Sequence, residues 1–488
     1  MKQFLTCIII TISCISSLFA QKTNPQLPNI IVIFMDDMGY GDLGVTGALD
    51  YETPVLDAMA NKGIRFTNFL VPQAVCSASR SALLTGNYPN RMGIQGAYGP
   101  NVKKGLASEE ITLAEMLKSK GYATQMIGKW HLGNEPQFLP TKQGFDHYLG
   151  LPYSNDMWPV EFDGSPSKPG SQYSRYPVLP LLEINSEQVV PDTIRKIKTL
   201  EDQATLTSTY THAAVDFIQA HKKKPFFLYL AHSMTHVPIA ASERFRGSSK
   251  QGLFGDVMHE VDWSMQEILK TLKQNKIEDN TLIVFTSDNG PWLNFGNHNG
   301  SPAGFREGKG AGWEGGVRVP CILYWPKQIK EGRINNHLSS SMDIFASIAE
   351  LVGYDQHPHK IDGISFLSTI YNAKAGPHRD RMYYYYNRND LEAVRLDNWK
   401  LVFPHQYRSY EEVMPADNGF AGKYNSKRTT ELELYDLRRD PGERYNVITM
   451  YPEIKEKLLQ IAEEAREDLG DDLTKRSGKN RRPVGQLP

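Results

Sequence analysis

Cysteine is scarce in this chain, and its scarcity excludes one class of protein. Of 488 residues only 4 are cysteine, and Cys7 and Cys14 lie in an apolar N-terminal segment. If that segment is removed, Cys76 and Cys321 are left, too few for a disulfide-stabilised scaffold. A single bridge between these two stays open. The fold must therefore be stabilised by a hydrophobic core.

A surplus of charge of either sign is also absent. The chain has 54 Lys and Arg residues against 55 Asp and Glu residues, for a formal net charge of −1. Nucleic-acid-binding domains usually carry a basic surplus, so the charge balance gives no argument for a nucleic-acid partner. We expect none.

Long apolar runs are absent except at the N-terminus. There the run from Phe4 to Phe19 follows Lys2 and precedes Ala20, which predicts a signal peptide over residues 1–20, cleaved near Ala20. The protein is then periplasmic or secreted. Cys14 offers a lipoprotein anchor as an alternative, but the apolar run continues beyond it. No other stretch has the length of a membrane span, so we expect no stable one.

Four apolar runs have the length of buried strands, and polar residues follow each of them at once. The runs are residues 29–35, 123–128, 226–231 and 281–287. Helical patterns lie between them, the clearest at Val257, Val261, Met265, Ile268 and Leu272. This alternation predicts an α/β domain over residues 21–375, with a large mixed, mostly parallel sheet flanked by helices. Ligands of such sheets bind at the carboxyl ends of the strands, where these polar residues would meet.

Two further regions have a residue composition that does not follow this alternation of strands and helices. Residues 153–202 are rich in Pro, Ser and Gly, and we interpret them as an insertion that shapes a substrate pocket, with a disordered loop as the alternative. Residues 376–488 contain short aromatic and apolar segments before a helical pattern at 452–469. They predict a small C-terminal α+β domain with a short antiparallel sheet. Its basic tail from residue 475 is predicted to be flexible.

The segment Cys76-Ser77-Ala78-Ser79-Arg80 looks like a nucleophile at the start of a helix. Serines suited to capping follow the cysteine, and Gly86 marks the end of the helical run. In that helix Arg80 shares a face with Cys76, so the guanidinium and the helix N-terminus could hold an oxyanion beside the sulfur. A lone cysteine is more often inert and buried, and the rest of the chain must decide.

The polar residues after the first and fourth apolar runs have the chemistry of a cation site. Asp36, Asp37, Asp288 and Asn289 supply hard oxygen ligands with three negative charges. Such ligands suit Ca²⁺ or Mg²⁺ rather than zinc.

These segments together resemble the type I sulfatases, the formylglycine-dependent family within the alkaline phosphatase superfamily. The resemblance rests on motifs spread in order over most of the chain: Cys-Ser-Ala-Ser-Arg at 76–80, Asp36-Asp37 with 39–42, Gly-Lys-Trp-His-Leu-Gly at 128–133, Thr-His-Val-Pro at 235–238, Asp-Asn-Gly at 288–290, and 308–309 with 314–318. The sequences of these motifs are most similar to those of the arylsulfatase A and N-acetylgalactosamine-6-sulfatase branch. Most members carry Pro where this chain has Ala78.

The resemblance implies two cofactors. A maturation enzyme would convert Cys76 to formylglycine (3-oxoalanine), and Ca²⁺ would be bound by Asp36, Asp37, Cys76, Asp288 and Asn289.

It also implies roles in catalysis. Arg80, Lys129, His236 and Lys309 would surround the sulfate, with His236 giving a proton to the leaving alcohol. Asp288 would take the proton of the attacking hydroxyl, and His131 that of the second hydroxyl of the hydrated aldehyde, which expels sulfate.

The expected function is therefore a sulfatase acting on sulfate monoesters of a carbohydrate, of glycosaminoglycan or mucin type. Candidate contacts to this sulfated saccharide are Asn155, Asp156, Arg175, Arg388 and His405. Two alternatives stay open: a phosphonate or phosphate ester hydrolase on the same scaffold, and a non-catalytic protein that binds sulfated glycans.

Overall fold

The computed structural model describes residues 27–372 and 376–487. The predicted signal peptide and the alternative anchor at Cys14 lie outside the described residues. Within them, every helix is too short or too polar to cross a bilayer.

The chain alternates strands and helices through its first three quarters and is mostly strand thereafter. The strands are β1 (Asn29–Met35), β2 (Ile64–Phe66), β3 (Phe69–Leu70), β4 (Lys104–Gly105), β5 (Ala123–Gly128), β6 (His147–Gly150), β7 (Leu179–Asn185), β8 (Asp192–Ile197), β9 (Phe226–Ala231), β10 (Thr281–Ser287), β11 (Cys321–Tyr324), β12 (Arg333–Asn335), β13 (Ser339–Ser340), β14 (Arg381–Tyr386), β15 (Asp390–Leu396), β16 (Trp399–Val402), β17 (His405–Ser409), β18 (Asn425–Thr430), β19 (Glu433–Asp436) and β20 (Gly485–Gln486). The helices are α1 (Pro54–Lys62), α2 (Cys76–Thr85), α3 (Leu113–Ser119), α4 (Leu200–Ala204), α5 (Leu206–His221), α6 (Leu253–Gln274), α7 (Glu314–Val317), α8 (Met342–Leu351), α9 (Leu367–Ile370) and α10 (Pro452–Leu469).

The main sheet has ten strands in the order β12-β2-β11-β10-β1-β9-β5-β6-β7-β8. Its centre is parallel, since β1 pairs in parallel with β10 and β9, and β5 with β9 and β6. Antiparallel strands β11, β7 and β8 extend it on both sides. The prediction of a large mixed sheet flanked by helices is confirmed.

All four predicted strands have the bounds expected from the sequence. Register then aligns their ends: Met35 of β1 pairs with Ser287 of β10, and Ala231 of β9 pairs with both Phe34 and Gly128. The polar residues that follow these strands consequently share one edge of the sheet.

Both faces of the sheet are buried, which explains why its central strands are apolar throughout rather than alternating. On β1, Val32 and Phe34 belong to one hydrophobic cluster, and Ile31 and Ile33 to another. The first cluster continues into the C-terminal region, and the second contains the apolar stripe of α6.

The C-terminal region forms an antiparallel sheet in the order β14-β15-β16-β19, with α10 against β15 and β16. The bounds of α10 match the predicted helix, and the tyrosine run of residues 383–386 lies in β14 as ordinary strand packing. The domain boundary between residues 375 and 376 stays a prediction.

Two regions differ from expectation. The segment 153–202 contains the hairpin β7–β8, which extends the main sheet. Most of β8 is exposed and the register shifts between Leu181 and Leu182, so the alternation typical of a strand is weak. The prediction of a flexible tail is wrong, because β20 pairs with β4 and Arg482 forms an ion pair with Glu110. Because these partners are distant in the sequence, no local sequence pattern predicts the contacts.

Candidate active site

Carboxylates, lysines and histidines gather at the carboxyl edge of the main sheet. Asp36 and Asp37 follow β1, Lys129 follows β5, and Asp288 follows β10, all of them buried. The turn after β1 is tight, with Asp37 at a φ of 59°. The backbone N–H of Asp37 donates to Oδ1 of Asp288 at 3.1 Å. Neighbouring strand ends are thereby joined directly.

Cys76 is the first residue of α2 and is buried against the acidic pair. Its Sγ lies 3.6 Å from Oδ1 of Asp36. The prediction of serine capping is wrong, because Val75 occupies the N-cap position without a side-chain hydrogen bond. Ser77 instead accepts a hydrogen bond from the backbone N–H of Tyr98. Cys321 and Cys76 are both free, so the possible disulfide is not formed.

Arg80 projects from the same helix into the same cluster, as its spacing from Cys76 predicts. Its Nη2 lies 2.6 Å from Oδ2 of Asp288 and 3.5 Å from Oδ1 of Asp36. Nη1 donates to the backbone oxygen of Lys129 at 3.0 Å. The guanidinium is fully buried, and its position is fixed by these contacts.

Each carboxylate of the acidic pair also meets a lysine. Nζ of Lys129 lies 2.5 Å from Oδ2 of Asp36, and Nζ of Lys309 lies 2.7 Å from Oδ1 of Asp37. Lys309 comes from a glycine-rich loop before α7, and Lys129 also donates to Oγ of Ser154. The cluster therefore combines closely spaced charges of both signs.

Two histidines complete the cluster. His236 donates from Nδ1 to the backbone oxygen of Val237 at 2.6 Å, and its Nε2 lies 3.5 Å from Oδ2 of Asp37. His131, at a φ of 63°, is buried with no partner for either ring nitrogen among the described residues. A buried unpartnered imidazole is costly, which is typical of a group that meets a ligand.

Burial and neighbouring charges shift the acidities of these groups. Burial alone would raise the pKa of Asp36, but the positive charges of Lys129 and His236 hold it well below its usual range. Burial and the negative charge of Asp36 raise the pKa of Asp288 to about 7. Burial also raises the pKa of the Cys76 thiol, so an unmodified thiolate is disfavoured here.

The basic groups respond to the same environment. Burial opposes the charged form of Lys309, but Asp37 outweighs it and raises its pKa well above the ordinary value. Burial lowers the pKa of His236, and burial with the charge of Lys129 lowers that of His131 further.

The donors fit a divalent cation. Ligand atoms of Asp36, Asp37, Cys76 and His236 all lie within 4.8 Å of one another. Asn289 donates from Nδ2 to Oδ1 of Asp37 at 2.7 Å, while its Oδ1 is buried without a partner among the described residues. Carboxylate oxygens and an orphaned amide oxygen are the ligands of hard cations such as Ca²⁺.

The predicted saccharide contacts are placed unevenly. Asn155 is buried and donates to the backbone oxygens of His236 and Pro238. Oδ1 of Asp156, the next residue, has no partner among the residues that the structure describes. Arg175 and Arg388 are exposed. His405 is buried, donates to the backbone oxygen of Phe403, and faces Glu392 at 3.6 Å.

Sequence reasoning missed two aromatic residues beside Lys309. The ring of Trp292 lies 4.6 Å from Nζ of Lys309 and 5.6 Å from the ring of His236, and within the described part of the chain its Nε1 has no partner. Tyr410 donates from its hydroxyl to the backbone oxygen of Lys309 at 2.6 Å. Trp292 could have been noticed, since it lies only two residues after the Asp-Asn-Gly motif of 288–290. Tyr410 comes from the C-terminal sheet region, and only the fold brings it here.

The chain has a mixed sheet flanked by helices. Carboxylates and lysines lie at the carboxyl edge of this sheet, beside a cysteine that begins a helix. These features define a hydrolase of the alkaline phosphatase-like fold. The family model described as Sulfatase matches residues 28–354, and the one described as C-terminal region of aryl-sulfatase matches residues 377–486. A third, N-sulphoglucosamine sulphohydrolase, C-terminal, matches residues 308–417.

Individual relatives agree. N-acetylgalactosamine-6-sulfatase of Mus musculus is 36% identical over 471 residues, 91% of this chain and 86% of that protein. Arylsulfatase A of Homo sapiens is 35% identical over 452 residues, with 89% and 87% covered. The crystal structure of PsFucS1 sulfatase from Pseudoalteromonas sp. has a TM-score of 0.79 at 28% identity over 90% of each chain. The chain belongs to the sulfatase family and is a sulfuric ester hydrolase, as its motifs predicted.

Proposed function

We propose that this protein hydrolyses sulfate monoesters of a carbohydrate, using Ca²⁺ and a formylglycine derived from Cys76. The contact that carries this proposal is the 3.6 Å distance between Sγ of Cys76 and Oδ1 of Asp36. Residue 76 lies against a carboxylate of the acidic pair, so a nucleophile formed from it would adjoin the proposed cation ligands. Asp36, Asp37, Asp288 and Asn289 would hold the cation together with residue 76.

The two cofactors supply chemistry that the unmodified chain lacks. Bound Ca²⁺ would withdraw electron density from coordinated oxygens and ease the loss of their protons. Formylglycine at position 76 would supply the two hydroxyls of its hydrate, one as the nucleophile toward sulfur and one as the proton donor that release of sulfate requires.

The side chains around residue 76 divide the remaining work. Arg80, Lys129 and Lys309 present positive charge where the sulfate oxygens would lie, and this charge offsets the negative charge that develops in the transition state. Asp288, joined to Arg80, is the group proposed to take the nucleophile's proton.

The histidines act on the two protons that remain. His236 has oxygen acceptors at both ring nitrogens, an arrangement that a protonated imidazole satisfies, and we assign it as the acid for the leaving alcohol. The ring nitrogens of His131 have no partner in residues 27–372 and 376–487, and we assign His131 as the base for the second hydroxyl.

The saccharide substrate is inferred from relatives and from the site together. N-acetylgalactosamine-6-sulfatase is named for a sulfated amino sugar, and a glycosaminoglycan or mucin-type glycan is the corresponding class. Asp156, with an unpartnered carboxylate oxygen, is a candidate to accept a hydrogen bond from a sugar hydroxyl. Asn155 positions the loop of His236. Arg175, Arg388 and His405 remain candidates for more distant contacts.

Export belongs to the same proposal. The predicted signal peptide at residues 1–20 would direct the chain to the periplasm or the medium after a maturation enzyme has acted on Cys76. The catalytic part would span residues 21–375 and the smaller C-terminal part residues 376–488.

One experiment tests the proposal against its alternatives. The full chain is expressed with a maturation enzyme, its intact mass is measured, and hydrolysis of 4-nitrophenyl sulfate and 4-nitrophenyl phosphate is compared. We expect conversion of Cys76 and a strong preference for sulfate. A preference for phosphate would support a phosphate ester hydrolase, and an unconverted Cys76 without turnover would support a glycan-binding protein.

A further inference from the structure

A cavity of about 220 Å³ lies beside Lys309 and is lined by Gly310, Tyr386, Glu392, Gln406, Arg408 and Tyr424 among others. It is smaller than the roughly 300–1,000 Å³ pockets that hold drug-sized ligands, so it suits one sugar unit or its substituent. Most of its wall comes from β14, β15 and β17 of the C-terminal region. Its floor comes from the catalytic glycine-rich loop.

The cavity adjoins the catalytic cluster. Gly310 follows Lys309 directly, and a side-chain carbon at Gly310 would lie 2.9 Å from Nη1 of Arg408 and 3.1 Å from the hydroxyl of Tyr386. At its φ of +85° the position also favours glycine, and the missing side chain lets Arg408 and Tyr386 pack close to the loop beside Lys309. Arg408 therefore lies against the loop that carries Lys309, where it lines the cavity.

Arg408 is the charged group in this cavity that lacks a counter-ion. Among the described residues it forms no ion pair with a carboxylate within 4.0 Å, although it is half-buried. Its guanidinium lies over the ring of Tyr424, 4.5 Å from the centroid, which fixes its position. A guanidinium held in place without a carboxylate is a ready partner for an anionic ligand.

Glu392 does not cancel this charge. Its side chain is buried and accepts a hydrogen bond from the backbone N–H of Gly312 at 3.0 Å. Burial raises the pKa of Glu392 to about 8, so at neutral pH its carboxyl group is mostly uncharged. The cavity therefore presents a net positive charge with neutral donors around it.

We propose that this cavity is a subsite for an anionic substituent of the substrate, a carboxylate or a second sulfate carried next to the scissile sulfate ester, and that Arg408 binds it. The inference rests on the proposed function and narrows it to acidic sulfated saccharides. Arg408 is a specificity-determining residue in this scheme, since the cluster around Cys76 performs the chemistry without it.

The test compares three disaccharides that share the same sulfated sugar and differ in its neighbour. The neighbour is a uronic acid, the same unit with its carboxyl reduced to an alcohol, or that neutral unit carrying a second sulfate. Values of kcat and KM are measured for the wild type, Arg408→Gln and Arg408→Lys, with Arg439→Gln as an exposed control from the same region. Thermal unfolding confirms that each variant is folded.

We expect the wild type to favour at least one anionic substrate over the neutral one by about 10- to 100-fold in kcat/KM, the usual worth of a charged hydrogen bond. Arg408→Gln should remove that preference mainly through KM, Arg408→Lys should restore part of it, and Arg439→Gln should keep it. Which substrate is preferred identifies carboxylate or sulfate as the anion.

Two results would overturn the proposal. One is a wild type that treats all three substrates alike, and the other is an Arg408→Gln variant that loses the same factor on all three or on none. Hydrolysis of 4-nitrophenyl sulfate separates this failure from failure of the proposed function, because that substrate has no neighbouring unit.

Discussion

Asn289 donates from Nδ2 to Oδ1 of Asp37 at 2.7 Å, and its own Oδ1 stays buried without a partner in the described part of the chain. The amide would therefore orient a carboxylate of the proposed cation site and offer an oxygen of its own to the same cation. Asn289 would serve that site in two ways, and its sequence signal is its place in the Asp-Asn-Gly motif that follows β10.

Replacement of Asn289 by Ala should weaken Ca²⁺ binding by about tenfold or more, because both the oxygen and the support of Asp37 are lost. The measurement is the rise in Tm with added Ca²⁺, or calorimetric titration of the metal-free protein. Asn294→Ala is the matched control, since Asn294 is also a buried amide but donates to the backbone oxygen of Gly422. Equal affinities for both variants would contradict a ligand role for Asn289.

Replacement of Cys76 by Ala should abolish turnover and leave the fold intact, because the side chain is small and its contact with Oδ1 of Asp36 is long, at 3.6 Å. Cys321→Ala is the matched control, as Cys321 is equally buried and free. Both variants should show a similar, small decrease in Tm, because each should lose on the order of 1 kcal/mol in the free energy of unfolding. Only the first should lose sulfatase activity, so residual turnover in Cys76→Ala would assign the nucleophile elsewhere.

The parts of the site that the sequence predicts are those encoded beside strong local patterns. Asp36, Lys129 and Asp288 each follow an apolar run, and parallel strands bring such positions to one edge whatever the rest of the chain does. The predicted bounds of these strands hold because both faces of the sheet are buried, so the runs are apolar throughout.

The parts that sequence reasoning missed depend on packing between distant segments. Tyr410 contacts Lys309, and Arg408 lies beside Gly310, only because the segment around β17 packs on the glycine-rich loop. The C-terminal tail is a second example of such packing. Its basic composition is typical of a flexible end, yet Arg482 forms an ion pair with Glu110, which is distant in the sequence. The composition of a segment does not identify its partners in the fold, because those are determined by the topology of the chain.

Replacement of His236 by Ala should slow substrates with poor leaving groups more than activated ones. An acid that protonates the leaving alcohol is worth about 10²- to 10⁴-fold, and a nitrophenolate leaves without that help. Rates are compared on a sulfated sugar and on 4-nitrophenyl sulfate. His232→Gln is the control, since His232 is buried near Oγ of Ser264 and should change both rates by one common factor. The same common factor in His236→Ala would remove His236 from the acid role.

The pH dependence of stability should report on Glu392. Burial raises its pKa from 4.5 to about 8 in the folded protein, so the folded state keeps a proton that the unfolded chain releases above pH 4.5. Stability contributed by this group is complete below pH 4.5 and is lost as pH rises through 8. The slope of the free energy of unfolding against pH that this group causes reaches at most about 1.4 kcal/mol per pH unit.

Glu392→Gln removes the titration but keeps an acceptor for the N–H of Gly312. The difference in Tm between wild type and variant, followed across this pH range, isolates the contribution of Glu392 from that of every other titrating group. The wild type should lose Tm relative to the variant as pH rises. A constant difference would mean that Glu392 is already ionised in the folded state, and the positive charge of the neighbouring cavity would then be partly cancelled.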